Sequence, residues 1–176
     1  RRTSHDDVLL GCVRRIAGAG VLPIAAAGNE KYGVQTSGMN EAAECLSVGA
    51  VAGSAGSWGV WEHSASISYP GGRTIPDLVA PGVGVTSTTN EGGIYDYKAY
   101  HGTSIGAAQV AGLAALLKSV CPNANGPDIR EALIRSCRST EWPEGLPAEA
   151  GNGVPNAARA YKCLMAIMGE SGRSCL

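Results

Sequence analysis

Two short segments carry the residue types that could do chemistry. The first is Gly102-Thr103-Ser104-Ile105-Gly106-Ala107-Ala108-Gln109-Val110-Ala111-Gly112. It places a serine where a helix begins, with glycines on both sides and small residues for two further turns. A serine in that position is most often a helix cap. A cap, however, does not need small residues along the next two turns, whereas a nucleophile pressed against neighbouring backbones does. The second segment is Ala25-Ala26-Ala27-Gly28-Asn29. It puts an amide side chain at the carboxyl end of an apolar strand, where open α/β sheets gather their sites. Alone, Asn29 would be a turn residue after glycine.

Gly102 to Gly106 also fit G-x-S-x-G, the nucleophile elbow of α/β-hydrolases. That fold needs its histidine after the serine. His5, His63 and His101 all precede Ser104, so the α/β-hydrolase pattern is excluded.

The elements that must position these residues follow from periodicity. Ser4 and Asp7 open a helix in which Leu9, Cys12, Val13 and Ile16 recur at helical spacing, and Gly18 and Gly20 end it. Val21 to Ala27 is a buried parallel strand, with Pro23 tolerable near its start. Cys45 to Ala52 is a second strand. Residues 53–74 are loops with short strands, Asp77 to Gly82 a strand ending in a turn, and Val83 to Thr88 another strand. The helix from Ser104 to Ser119 is apolar on nearly every side and is expected to be buried. Pro127 opens a helix to Ser136, and Asn156 to Met168 is the last helix. Alternating strands and helices give an α/β fold with a parallel sheet.

Composition sets outer limits. The chain has 176 residues, 44% hydrophobic and 16% charged, which suits one packed domain. A net charge of −1 with no basic run gives no electrostatic reason to bind nucleic acid or a membrane surface. No apolar run reaches the roughly 18 residues of a membrane span, and no signal peptide is visible. The six cysteines are not spaced as CxxC, which argues against structural zinc. Cys12, Cys45 and Cys137 are expected as small core residues, Cys163 and Cys175 as the disulfide candidates. Pairing stays open among 15 full arrangements.

In order and spacing, four segments resemble the subtilisin-like serine proteases: Ala-Ala-Gly-Asn, Ser-Val-Gly-Ala-Val, Pro-Asp-Leu-Val-Ala-Pro-Gly and the Gly-Thr-Ser helix start. Gly151 to Ala158 resembles that family's last turn and helix start, so the likeness spans about residues 5–165. It implies a three-layer fold with a mostly parallel central sheet, incomplete on its N-terminal side. Residues 1–176 would be the C-terminal portion of a single peptidase domain, ending in a helix-rich tail at about 156–176. It implies Ser104 as nucleophile and Asn29 in the oxyanion hole. It implies Ala27, Gly28 and Glu30 as walls of the pocket for the substrate residue before the cleaved bond. The family's His-Gly-Thr-His and Asp-Thr-Gly motifs are absent, so its catalytic His and Asp are expected upstream of Arg1, and this chain alone is expected to be inactive. The implied partners are a peptide or protein substrate and the N-terminal half of the same domain. No metal residue carries over; calcium is possible in the full-length parent. A secreted or vacuolar/lysosomal compartment leans only on the family and the cysteine count. Ala108-Gln109 stands where the family usually has Pro-His. A non-catalytic peptide- or protein-binding module is the alternative.

Overall fold

The computed structural model describes residues 4–31, 38–54, 57–93, 95–137, 142 and 145–175 (backbone only at 4–6). Helix α1, Ser4–Gly18, leads into a short strand β1, Ile24–Ala26. Strands β2, Leu46–Ser54, and β3, Ser57–Val60, follow. Then come β4, Ile67–Ser68, β5, Thr74–Ile75, β6, Leu78–Pro81, β7, Val85–Thr89, and β8, Asp96–Tyr100. Helices α2, Thr103–Val120, α3, Gly126–Ser136, and α4, Ala157–Glu170, complete the chain.

β2 is the central strand. β1 runs parallel to it with Ile24 opposite Leu46, and β6 runs parallel to it with Val48 opposite Leu78. β3 folds back antiparallel, Val51 opposite Val60. Alternation along β2 sorts its side chains by face. Leu46 and Val48 join Leu78 and Ala80 under α2, α3 and α4, while Cys45 joins Leu10, Val13, Ala25 and Ala42 beneath α1. This is the expected three-layer, mostly parallel arrangement. Hairpins β4–β5 and β7–β8 lie outside the main sheet. β8 had no counterpart in the sequence reading, because Asp96 to Tyr100 lacks apolar alternation and is almost wholly exposed.

Three expectations need correction. In α1 the buried positions are Leu10 and Val13, whereas Leu9 and Ile16 are exposed. The apolar arc of the helix is wider than the surface it meets among the described residues. Helix α2 is likewise covered on one stripe, Thr103, Gly106, Val110, Ala114 and Leu117, while Leu116 is 65% exposed. Its 18 residues have a mean hydropathy of 1.3, long and apolar enough for a membrane span, but that stripe packs on the sheet. The third correction concerns the disulfide. Of the two candidates, Cys175 is disulfide-bonded, to Cys121, while Cys163 is a free cysteine. Cys163 is fixed within α4, whereas the tail beyond α4 turns back to the end of α2. There Arg173 donates to both carboxylate oxygens of Asp128, and Asn123 donates to the Ser174 carbonyl.

Candidate active site

Parallel strands present their carboxyl ends together, and β1, β2 and β6 do so beneath the start of α2. Gly82, just past β6, accepts a 2.8 Å bond from the Gly102 N–H, which ties the approach to α2 onto the sheet. Gly106, one turn into the helix, lies so close to the strands that a Cβ there would stand 3.0 Å from the Gly49 carbonyl oxygen. The small residues after Ser104 therefore let the helix rest on backbone.

Ser104 does not cap the helix. The cap position is Gly102, and it makes no side-chain cap bond. Ser104 is exposed in the first turn, where its own N–H has no intrahelical acceptor and the helix dipole is positive. Among the described residues nothing hydrogen-bonds its hydroxyl.

Among the described residues, Asn29 is held from one side only. Its Oδ1 accepts from the Thr103 N–H and from the Thr103 hydroxyl, both at 2.9 Å. The Thr103 hydroxyl in turn accepts from the Gly28 N–H at 3.1 Å. With Oδ1 occupied, the donor end of the amide faces the other way. A Cβ on Gly102 would lie 3.2 Å from Ser104 Oγ and 3.3 Å from Asn29 Nδ2. The missing side chain leaves one space bordered by the serine oxygen and the amide donor. The φ of 149° at Gly102 makes the same demand for glycine. Thr103, which sequence reasoning passed over, is what binds Asn29 Oδ1. Its signal was its place between the cap glycine and the serine.

The other candidates are less concentrated. Ala27 is fully buried and extends the ladder through its N–H to the Val48 carbonyl, 2.8 Å. Gly28 is half-buried and accepts from the Ala65 N–H. Glu30 is exposed; residues 32–37 beyond it lie outside those described. His101 uses Nδ1 to accept from the Gly84 N–H at 3.1 Å, holding the base of the β7–β8 hairpin. His63 is exposed and stacks edge-on to Trp61, ring centroids 5.0 Å apart. The His5 side chain lies outside the described set. Gln109 donates to the Pro81 carbonyl at 2.6 Å, and the helix runs unbroken through Ala108. Among the described residues, no three His, Cys, Asp or Glu side chains gather to hold a metal.

Comparison with known proteins shows the family. The subtilase family model matches residues 5–157. The chain belongs to the subtilase family. It is 33% identical over 162 residues to an extracellular protease of Xanthomonas campestris, covering 90% of this chain and 26% of that protein. It is 36% identical over 151 residues to subtilisin E of Bacillus subtilis, covering 84% of this chain and 35% of that protein. A solved protease structure from Pseudoalteromonas arctica superposes with a TM-score of 0.71 at 26% identity, over 88% of this chain and 46% of that one. The chain thus spans between a quarter and two fifths of the curated relatives it matches.

Proposed function

We propose that the protein carrying this chain is a serine endopeptidase of subtilisin type, with Ser104 as nucleophile and Asn29 in the oxyanion hole. The supporting observation is the shared space beside Gly102, with Ser104 Oγ on one side and Asn29 Nδ2 on the other. Ser104 Oγ attacks the peptide carbonyl and gives its proton to the general base; the C–N bond then breaks, the amine leaves with that proton, and water hydrolyses the acyl-enzyme that remains. As the carbonyl oxygen gains charge, Asn29 Nδ2 and the Ser104 N–H donate to it. Both are preorganised, one by the Thr103 bonds and the other by the helix. The general base is a histidine, oriented by an aspartate, from polypeptide outside these residues, since neither His63 nor His101 bonds Ser104. That polypeptide is the rest of the same domain. It pairs with the outer edge of β1 and covers apolar side chains such as Val21 and Leu116, which stand exposed here. The substrate lies extended across the carboxyl end of the sheet, with Ala27, Gly28 and Glu30 around its residue before the scissile bond.

A serine-reactive fluorophosphonate tests this. The full-length protein should label at Ser104 and lose the label on Ser104→Ala, while the 176-residue chain alone should label far more slowly, for want of a base. The second reading, a non-catalytic peptide-binding module, has support in the unpartnered Ser104 hydroxyl. A full-length protein that binds peptides yet leaves Ser104 unlabelled would favour it.

A further inference from the structure

At the foot of the sheet, opposite the Ser104 end, one side chain fills a cage of oxygen atoms. Arg73 Nε donates to the Asn40 carbonyl at 3.2 Å, and Nη2 donates to the Cys45 carbonyl at 2.8 Å. Nη1 and Nη2 also donate to the two carboxylate oxygens of Asp77, at 2.8 and 2.9 Å. Asp77 is 8% exposed and the Arg73 side chain 15%. The Ser47 N–H completes one carboxylate oxygen at 2.7 Å, and Arg130 Nη2 approaches the other from outside the cage at 2.9 Å. Two main-chain carbonyls and a carboxylate are the hard oxygen donors that calcium sites use. The subtilase family implies calcium, yet no metal cluster forms among the described residues. Here the oxygen-rich cage already holds a cation.

We infer that the Arg73 guanidinium is a built-in replacement for a metal ion, fixing the 40–45 turn to Asp77 without calcium. Three features carry this. The guanidinium reaches both carbonyls and both carboxylate oxygens at once, which joins the turn to the start of β6 as a polydentate ion would. Its bond to Asp77 holds the Arg73 pKa above its ordinary value against the opposing effect of burial, so it stays charged wherever the fold exists. The turn it fixes also matters to the sheet end above. Asn40 Nδ2 donates to the Ala26 carbonyl at 2.9 Å, directly before Ala27, Gly28 and Asn29.

The test is whether removing the guanidinium creates a calcium requirement. In the full-length protein, Arg73→Ala should lower the melting temperature in EDTA by about 10 °C, the scale for breaking a buried pair. Millimolar CaCl2 should restore at least about half of that loss, and more than any calcium gain seen in wild type. MgCl2 at equal ionic strength should not, because magnesium demands a tighter octahedron at about 2.0–2.1 Å. The double variant Arg73→Ala/Asp77→Asn, lacking the carboxylate, should show no calcium recovery. If Arg73→Ala does not fold in EDTA, refolding yield with and without CaCl2 becomes the readout, and calcium-dependent yield supports the inference. Equal calcium gains in variant and wild type, equal rescue by magnesium, or refolding that fails alike with and without calcium would overturn it.

Discussion

The two ends of one sheet are built on opposite rules. At the carboxyl end, glycines thin the structure and leave polar groups pointing into open space. Ser104 is exposed and Asn29 has one half of its amide uncommitted. At the amino end, Asp77 is buried under two arginines and a backbone N–H, and its carboxylate oxygens are saturated. A polar group left unsatisfied at a rim can be turned to a substrate. The same group unsatisfied in a core only costs stability. The comparison therefore predicts that substitutions at the carboxyl end change rate and leave melting alone, while substitutions at the amino end act mainly on melting.

The largest expected effect is at Ser104. Ser104→Ala in the full-length protein should lower kcat by about 10⁶-fold, the scale for a subtilisin that loses its nucleophile, with the thermal midpoint unchanged. A variant that keeps a hundredth of its activity would break the assignment. Next is Asp77→Ala, which strands Arg73 and Arg130 in a buried setting. It should cost about 3–5 kcal/mol in denaturant unfolding, and lower kcat per folded molecule far less than Asn29→Ala does. Asn29→Ala should follow, lowering kcat about 10²–10³-fold with little change in KM, again a magnitude from a subtilisin asparagine. Thr103→Val sharpens the point. It keeps the shape of the side chain and the backbone bond to Asn29 but removes the hydroxyl bridge. It should lower kcat less than Asn29→Ala, and a larger loss would mean that the bridge does more than orient the amide.

Much of the carboxyl end could be read from the sequence, because its logic is local. Small residues after Ser104 imply close packing, and an apolar run ending in Gly28-Asn29 implies a strand delivering an amide. The sharing of Asn29 Oδ1 by both donors of Thr103 could not be read, since it joins residues 74 apart. The amino end was hidden for the same reason. Arg73, Asp77, Asn40 and Cys45 come from a hairpin, a strand start and a turn, and no spacing in the chain announces their meeting. The disulfide fell on Cys121 because pairing depends on where the tail turns after α4, which the composition of the tail does not reveal. The breadth of the apolar surface on α2 was read correctly, but the share of it covered by these residues was not.

A third region, the tail, gives a comparison between a covalent and an ionic fastening of the same segment. The Cys121–Cys175 bond closes residues 54 apart, so Cys121→Ser/Cys175→Ser should cost about 2–4 kcal/mol, the same at each pH because a disulfide carries no titrating proton. The ionic fastening beside it depends on pH. Burial tends to raise the Asp128 pKa. The bonds from Arg173 and from the Asn125 N–H outweigh that and hold the carboxyl below its ordinary value. A depressed folded-state pKa means that the unfolded chain takes up the proton first. The contribution of Asp128 is therefore full above the unfolded-state value of roughly 4 and is lost as pH falls through the lower folded value. Asp128→Asn should remove that acid sensitivity, weaken the α3 cap at neutral pH and leave the stability gap to wild type narrowing below about pH 4. Unfolding of both proteins in denaturant between pH 3 and 7 measures the gap. A constant gap over that range would mean that Arg173 and the cap do not distinguish the charged carboxylate from the neutral amide.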